Sequence, residues 1–355
     1  MTLRLPAFGG ETGGLRRILL LAGAGLVALV ALWAAWALFN WVGPGPAGQD
    51  TTVVLNRGGG VGEIATELQQ ARVIRSPGLF RLFAKLTRAD RTLRAGEYDF
   101  PARASLSHVL GMMARGEIVR HWVTVAEGRT SAQVIALLQA SPVLEGAVDV
   151  PPEGAILPQT YEVLRGESRE AVIDAMRKAR DATLDRLWAG RAPDLPVKTP
   201  EEAVIMASIV EKETSVPSER ARVAAVYENR LAKGMRLEAD PVVIYGLSHG
   251  ESLGHGLTRV ELQTRTPYNS YLEAGLPPTP IANPGAASLE AVLHPAKTAD
   301  IYFVANGAGG HSFSATWEEH QRNVAHWRAI EASRKPGAMN TTQAAANTTQ
   351  KRSGR

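Results

Sequence analysis

The longest uninterrupted apolar segment of the chain runs from Ile18 to Val42. It contains no charged side chain, and Asn40 is its only strongly polar residue. An α-helix rises about 1.5 Å per residue, so about 20 apolar residues cross a hydrocarbon core of about 30 Å. The pattern predicts a transmembrane helix over residues 18–42, in contact with a lipid bilayer.

The charges that flank this segment predict its orientation. Arg16 and Arg17 precede it, whereas the first charge after it is Asp50. Positively charged flanks stay on the cytoplasmic side, so we expect residues 1–17 in the cytoplasm and residues 43–355 outside it. A cleaved signal peptide is the alternative. Its apolar region is normally about 7–15 residues long, and the longer segment here favours an uncleaved anchor.

Shorter periodic patterns follow the apolar segment. Thr51–Leu55 and Gly96–Phe100 are rich in β-forming residues, and helical spacing of apolar residues fills the stretches between and after them. Ser76-Pro77 supplies an N-cap residue and a proline at the first helical position. The order β-α-α-β-α predicts a small α+β module within residues 43–116.

Helical patterns dominate residues 117–335. Thr199-Pro200 begins one helix, which we expect to end near Thr214, and Ile118–Val125 is predicted to be a strand. Ile301–Ala305 and His311–Ser314 flank a glycine-rich loop and predict a β-hairpin. Three further helix starts are marked by capping boxes, at Thr130, Thr258 and Thr316. The expected fold class is therefore α+β, with a mostly helical second domain.

The charge distribution argues against a nucleic-acid-binding body. The net charge is +4, of which residues 1–17 carry +2 and the tail from Arg334 carries +5, leaving −3 for the rest. A nucleic-acid-binding domain normally has a basic surface. The tail itself, residues 336–355, is polar and basic with Met339 as its only large apolar side chain, so we expect it to be disordered.

Several classes of site are excluded or disfavoured by residue type. The chain has no cysteine, which excludes disulfide scaffolds, cysteine-ligated metals and cysteine nucleophiles. It contains no His-Glu-x-x-His motif and no Gly-x-Ser-x-Gly motif, so neither a catalytic zinc nor a serine hydrolase is favoured. We therefore expect no metal and no cofactor.

Two glutamates at the end of the helix near residue 210 are candidate acids. Glu211 and Glu213 lie two positions apart, so they point to roughly opposite faces. Glu213 stacks above the apolar Ile209 and Val210, where burial would raise its pKa toward the range of a general acid. It is the first candidate, and Glu211 is the second. The alternative is a solvated helix end that carries ordinary surface charges.

A polar loop holds the candidate substrate contacts. Tyr268 and Asn269 precede the proline-rich segment Leu276-Pro277-Pro278. Tyrosines and amides are usual in sugar sites because they combine flat apolar faces with donors and acceptors. A capped turn with tyrosines in the core explains the same residues without any ligand.

These residues also carry a family resemblance. The sequence resembles the YceG-like family of endolytic murein transglycosylases, over about residues 18–333. The matching stretches are Leu93–Tyr98, Ala207–Thr214, Glu228–Leu231, Asp240–Gly246, Thr266–Tyr271, Gly275–Pro278, Ile281–Gly285, His294–Lys297, Tyr302–Ala305 and Gly309–Phe313.

The resemblance implies residue roles. The family's catalytic glutamate is the second one of the Glu-Lys-Glu-Thr stretch and falls on Glu213. The pair Glu213-Thr214 is similar to the Glu-Ser pair of other lytic transglycosylases, which makes Thr214 a candidate substrate-binding residue. Tyr268-Asn269 is similar to their Tyr-Asn substrate-contacting pair. One departure is Gln159, which stands where the family usually has aspartate, so the substrate-binding or loop-positioning role of that aspartate does not carry over directly.

The resemblance also implies an architecture and an activity. It implies a LysM-like module in residues 43–116 and a catalytic domain in residues 117–335, anchored in the bacterial inner membrane with the catalytic domain periplasmic. The expected reaction is internal cleavage of nascent peptidoglycan strands, with the cell-wall synthesis machinery as a further partner. A non-catalytic glycan-binding scaffold is the alternative, and the intact Glu213 favours the enzyme.

Overall fold

The computed structural model describes residues 12–55 and 59–334, and it divides into two compact units. The first unit extends to His121 and includes Val163–Gly166, while the second comprises Trp122–Glu162 and the chain from Glu167 onward. The predicted disordered tail, residues 336–355, lies outside the described residues.

The first unit contains the N-terminal helix and a small α+β module. The order of its elements after the first helix is β-α-α-β-α, as the sequence pattern predicts. The elements are α1 (Thr12–Val42), β1 (Thr51–Leu55), α2 (Val61–Gln70), α3 (Pro77–Leu86), a 3₁₀ turn (Ala89–Arg91), β2 (Gly96–Phe100) and α4 (Leu106–Arg115).

Strands β1 and β2 pair antiparallel, from Thr51 opposite Phe100 to Leu55 opposite Gly96. The three short helices bury their apolar faces against this pair, with Phe80, Tyr98 and Phe100 fully enclosed. Ser76 caps α3 as predicted, because its hydroxyl accepts a hydrogen bond from the N–H of Leu79. The module therefore has a hydrophobic core of its own.

Helix α1 is the one helix in the described part of the chain that is long and apolar enough to cross a membrane, over Arg16–Val42. Most of its apolar side chains are exposed. Its C-terminal end is different, since Ala37 is buried and the Trp41 ring lies 4.4 Å from that of Phe83. That end therefore packs on the small module.

The second unit is mostly helical. Its elements are β3 (His121–Thr124), α5 (Ser131–Ala140), β4 (Leu144–Glu145), β5 (Thr160–Val163), β6 (Glu167–Ser168), α6 (Arg169–Ala189), α7 (Pro200–Glu213), a 3₁₀ turn (Pro217–Glu219), α8 (Arg220–Ala232), α9 (Asp240–Ser248), α10 (Arg259–Gln263), α11 (Ala286–Leu293), β7 (Tyr302–Ala305), β8 (His311–Ser314) and α12 (Trp317–Arg334).

Helix α7 lies in the middle of the second core. Its residues from Ala203 to Val210 are buried except for Ile205, and it contacts α8, α9 and α11. Among the short sheets, β3 pairs with β5, β4 with β6, and β7 with β8. The β7–β8 pair is the predicted hairpin, and Phe303 and Phe313 lie opposite each other in it.

Most predicted helix starts are confirmed, whereas some boundaries move. Thr130 and Thr258 each form the reciprocal capping box expected from their sequences. The predicted strand over residues 118–125 is shorter, at His121–Thr124. The reason is that the N–H of Val119 donates to the carbonyl of Glu97 at 2.7 Å, which holds that stretch against β2.

Candidate active site

Helix α7 places two glutamates at its C-terminal end. Thr199 caps the start by accepting from the N–H of Glu202, and Pro200 occupies the first turn. The helix ends at Glu213, after which Thr214 is extended and buried. The Thr214 hydroxyl accepts a hydrogen bond from the N–H of Val216 at 3.0 Å, so it shapes the turn that follows the glutamate.

Glu213 faces a cavity of about 250 Å³. Its Oε2 atom is buried and has no hydrogen-bond partner among the described residues. The carboxyl group is therefore not a solvated helix end, which was the alternative interpretation of the sequence. The cavity is lined by Glu213, Tyr227, Arg230, Leu237, Glu238, Asp240, Tyr271, Phe303, Val304, Ala305 and His311.

The surroundings raise the pKa of Glu213 above its ordinary value. Burial is the largest cause, because it penalises the charged form, and the negative charge of Asp240 acts in the same direction. The Tyr227 hydroxyl and the charges of His311 and Arg230 lower the pKa in part. A raised pKa keeps the proton on the carboxyl group at a higher pH, as a general acid requires.

Hydrogen bonds hold the charged groups that surround Glu213 in place. Asp240 Oδ1 accepts from the Tyr271 hydroxyl at 2.7 Å. Arg230 Nη1 donates to Glu238 Oε2 at 2.9 Å, and its Nε donates to the carbonyl of Ile301 at 2.7 Å. The polar wall of the cavity is thus rigidly positioned.

His311 is fixed in the same way on the hairpin side of the cavity. Its Nδ1 lies 2.7 Å from Glu219 Oε2, and its backbone N–H donates to Glu219 Oε1 at 2.9 Å. Glu219 belongs to the 3₁₀ turn just before α8. The β7–β8 hairpin is therefore tied to the helix that carries Tyr227 and Arg230.

Glu211 is not among the described residues that line the cavity, and one of its carboxylate oxygens accepts two hydrogen bonds. Its Oε2 accepts from the Ser288 hydroxyl at 2.7 Å and from the N–H of Gly285 at 3.0 Å. Gly285 is the N-cap of α11, so this carboxylate lies at the positive end of that helix. The other oxygen of this carboxylate, Oε1, lies 3.9 Å from Arg220 Nη2. Glu211 thus ties α7 to α11.

Tyr268 and Asn269 are not among the described residues that line the Glu213 cavity. Asn269 is completely buried, and its amide donates to the carbonyls of Leu262 and Thr264. Its Oδ1 accepts from the N–H of Tyr271 at 3.1 Å. This is the geometry of the alternative interpretation, a capped turn, and its effect is to hold Tyr271 at the cavity wall.

Tyr268 is partly exposed beside α9. Its hydroxyl lies 2.8 Å from the Thr279 hydroxyl, and its ring packs edge-on against Tyr245 at 5.2 Å. Gly246 permits this approach, because a β-carbon there would lie 2.6 Å from Tyr268 Cβ. Tyr268 thus joins the proline-rich segment to α9.

Gln159 lies at the surface, just before β5. Its carbonyl accepts from the N–H of Val125 at 3.1 Å, so its backbone belongs to the β3–β5 region. Within the described residues, no group of three or more histidine, cysteine, aspartate or glutamate side chains is placed to hold a metal ion.

The comparison with known proteins identifies the family. The model of the YceG-like family matches residues 53–326, which is most of the chain. The chain belongs to the YceG-like family. The match includes every residue that lines the Glu213 cavity.

Relatives from Bacillus subtilis and Streptococcus pneumoniae carry the name endolytic murein transglycosylase. The Bacillus subtilis protein is 30% identical over 307 residues, covering 77% of this chain and 84% of the relative. The protein of Streptococcus pneumoniae strain D39 is 27% identical over 322 residues, and the chain matches 58% of its length. The crystal structure of a yceG-like protein from Listeria monocytogenes is 29% identical. It superposes with a TM-score of 0.48, covering 77% of this chain and 98% of that one.

Proposed function

We propose that this protein is a membrane-anchored endolytic lytic transglycosylase. It cleaves nascent peptidoglycan strands after N-acetylmuramic acid, leaves 1,6-anhydro ends and so terminates strand elongation. The observation that carries the proposal is Glu213, whose buried and unpartnered Oε2 faces the cavity. The names of the curated relatives support the same reaction.

In the first step Glu213 acts as general acid. Its proton passes to the glycosidic oxygen, and the bond between C1 and that oxygen breaks with its electron pair going to the oxygen. Positive charge develops on the muramic acid ring, as in other glycosidic cleavages. The negative charges of Asp240 and Glu238 line the same cavity and stabilise that charge.

In the second step Glu213 acts as general base. The carboxylate takes the proton of the sugar's own 6-hydroxyl, and that oxygen forms the new bond to C1. No water molecule enters the product. Intramolecular attack has a high effective concentration, so one carboxyl group can serve both steps.

The residues of the loop after α10 and of the turn after α7 bind the glycan or hold the site in shape. Tyr271 contacts the substrate from the cavity wall, and the buried Asn269 holds Tyr271 in position. Tyr268 is a glycan contact outside the cavity, next to the proline-rich segment. Thr214 fixes the turn after Glu213.

The first unit serves as anchor and glycan-binding module. Residues 18–42 span the inner membrane with the N-terminus in the cytoplasm, and the small α+β module is LysM-like. A reporter fused after Arg355 should then be active only outside the cytoplasm. Reporter activity in the cytoplasm would reject this topology.

The reaction is tested by the mass of the products. The detergent-solubilised full chain is incubated with purified, uncross-linked glycan strands, and the new ends are analysed by mass spectrometry. A lytic transglycosylase gives muramic acid ends that lack one water, whereas a hydrolase gives complete reducing ends. Strand binding without any new end would support the non-catalytic scaffold and reject the enzyme.

A further inference from the structure

The end of the N-terminal helix is fastened to the small module of the first unit. Ala37 and Asn40 of α1 are buried, whereas most apolar side chains before them are exposed. Just after the helix, Arg75 Nη1 donates to the carbonyl of Pro44 at 2.6 Å. Packing and a hydrogen bond therefore hold the module against the last turns of α1.

This attachment defines the height of the module above a bilayer that α1 crosses. The segment from Ile18 to Ala37 has 20 residues. In an α-helix it rises about 30 Å, which is the thickness of a hydrocarbon core. Ala37 thus lies at the outer edge of the hydrocarbon, and the residues packed beside it lie near the lipid headgroups.

Helix α3 of the module lies beside this end of α1. The ring centroid of Phe83 lies 4.4 Å from that of Trp41. Leu86 comes three positions after Phe83 and four after Leu82, so these residues are neighbours on the surface of α3. Leu82 is 36% exposed and Leu86 is 68% exposed. Two large apolar side chains therefore lie at the surface, on the edge of α3 that contacts α1.

The exposed apolar surface continues on α1. Leu38, Phe39 and Val42 are each more than half exposed. Contiguous exposed apolar side chains mark a contact with a membrane or with another protein. The membrane is favoured here because the neighbouring helix ends at its surface.

Basic side chains accompany the apolar residues of α3. Arg81 and Lys85 on the helix and Arg88 just after it are exposed. Residues 77–88 contain no aspartate or glutamate. A helix that combines an apolar edge with lysine and arginine binds in the interfacial plane of a bilayer, where anionic lipids attract the basic groups.

We propose that α3 is a membrane-surface helix. Leu82 and Leu86 insert at the outer edge of the acyl chains, and Arg81 and Lys85 contact the phosphates of anionic phospholipids. The inference goes beyond the proposed function and rests on its transmembrane anchor. The small module then has a second contact with the membrane, besides its covalent link to α1.

The chain has no cysteine, so single positions can be labelled. Leu86→Cys is labelled with the polarity-sensitive fluorophore NBD, and Val54→Cys is the matched control. Val54 is another exposed apolar residue of the module, at 44%, but it lies on β1. Each labelled full chain is reconstituted in vesicles of phosphatidylcholine and phosphatidylglycerol, with or without a lipid that carries a nitroxide quencher near its headgroup.

The label at position 86 should emit at shorter wavelength than in water and lose intensity when the quencher lipid is present. Leu82→Cys should give the same result, whereas the label at position 54 should show neither effect. Equal quenching at positions 54 and 86 would overturn the proposal, because the fluorophore alone would then explain the insertion. A shift at position 86 without quenching would also overturn it, in favour of a protein contact such as a second copy.

The headgroup contact is tested in the same vesicles. Quenching at position 86 should decrease when phosphatidylcholine replaces phosphatidylglycerol, and also when Arg81→Gln and Lys85→Gln are combined with Leu86→Cys. Quenching that is unaffected by either change would reject the contact with anionic phosphates.

A label at Val30→Cys, in the middle of the proposed span, separates this inference from the anchor on which it rests. Its quencher is a nitroxide near the end of the acyl chain. If position 30 is not quenched, the proposed transmembrane anchor fails. If position 30 is quenched and position 86 is not, the anchor stands and the membrane contact of α3 is rejected.

Discussion

Helix α7 ends with two glutamates, Glu211 and Glu213, whose carboxyl groups lie in different surroundings. On one face Glu211 is 7% exposed at its side chain and accepts two hydrogen bonds, from Gly285 and Ser288. On the other face Glu213 has one buried oxygen with no partner and a cavity in front of it. Both belong to the same four-residue stretch of sequence.

The difference shows that burial alone does not distinguish a candidate acid from a structural carboxylate. Removing a charged group from water is costly unless hydrogen bonds replace the lost hydration. The helix start of α11 provides that replacement for Glu211, whereas the pKa of Glu213 is raised because its surroundings replace it only in part. The unmet hydrogen-bonding capacity is what a substrate can use.

The strongest test of this comparison is Glu213→Gln. The amide keeps the shape and most of the hydrogen-bonding capacity but has no transferable proton. Release of anhydro ends should fall by roughly 10²–10⁴-fold or more, the usual range for loss of acid–base catalysis. Folding should persist, because a buried amide costs less than a buried charge.

Glu211→Gln is the matched control for that experiment. It removes a charge from the same helix end, and its amide oxygen can still accept from Gly285 and Ser288. Its activity should stay close to that of the unmodified protein. If the Glu211 variant alone lost activity, the catalytic role would pass to that residue and the comparison would be reversed.

A second substitution, Glu211→Ala, tests the structural half of the comparison. It leaves the N–H of Gly285 and the Ser288 hydroxyl without an acceptor, and Ser288 is fully buried. The free energy of unfolding of the second unit should fall by about 1–3 kcal/mol. Thermal denaturation measures this, with Glu170→Ala on the exposed surface of α6 as the control.

If the midpoint of thermal denaturation were unchanged in Glu211→Ala, the hydrogen bonds from Glu211 to α11 would add little to stability. The comparison between the two faces would then rest on Glu213 alone.

Removal of the negative charge of Asp240 should change activity less than the substitutions of Glu213. Asp240 raises the pKa of Glu213, and Asp240→Asn removes that charge while leaving an oxygen for the Tyr271 hydroxyl. The pKa of Glu213 should fall, so the alkaline limb of the kcat profile should move to lower pH. A pH–rate profile checks the direction, and a shift to higher pH would contradict the assigned interaction.

Sequence patterns predict the buried position of the candidate acid, Glu213, because the signals for it are local. Helix α7 begins and ends at strong signals, and periodicity alone separates the faces of Glu211 and Glu213. The same holds for the capping boxes at Thr130 and Thr258 and for the hairpin near residue 306. In each case the residues that decide the structure lie within a few positions of one another.

The rest of the cavity depends on contacts that no local pattern contains. Tyr227 and Arg230 share one face of α8, but nothing in their spacing indicates that Glu213 lies opposite. Asp240 is predictable only as part of a helix start. Asn269 is a sugar-site residue type that the fold uses to satisfy buried carbonyls, and Tyr271 lines the cavity instead.

A third glutamate extends the comparison. Glu228 on α8 is 3% exposed, and its Oε1 has no hydrogen-bond partner among the described residues. It is not among the described residues that line the Glu213 cavity. An unpartnered buried oxygen therefore also occurs away from the Glu213 cavity, and for Glu228 we expect only an effect on stability.

The titration of Glu228 should make the protein less stable as the pH rises. Burial raises the pKa of Glu228 from 4.5 to about 8. Between those values the folded protein holds a proton that the unfolded chain releases, so stability falls as the pH rises through this window. Glu228→Gln cannot titrate and should reduce the slope, by at most about 1.4 kcal/mol per pH unit.

The measurement is the free energy of unfolding of the second unit between pH 5 and pH 8 (roughly the window of this titration), for the unmodified protein and Glu228→Gln. Glu213 contributes a slope of the same sign, so the slope should shrink rather than vanish. Identical slopes for Glu228→Gln and the unmodified protein would mean that Glu228 is ionised and solvated in the folded state. Anhydro-end release by Glu228→Gln at pH 7 should remain normal, because Glu228 is not among the described residues that line the Glu213 cavity.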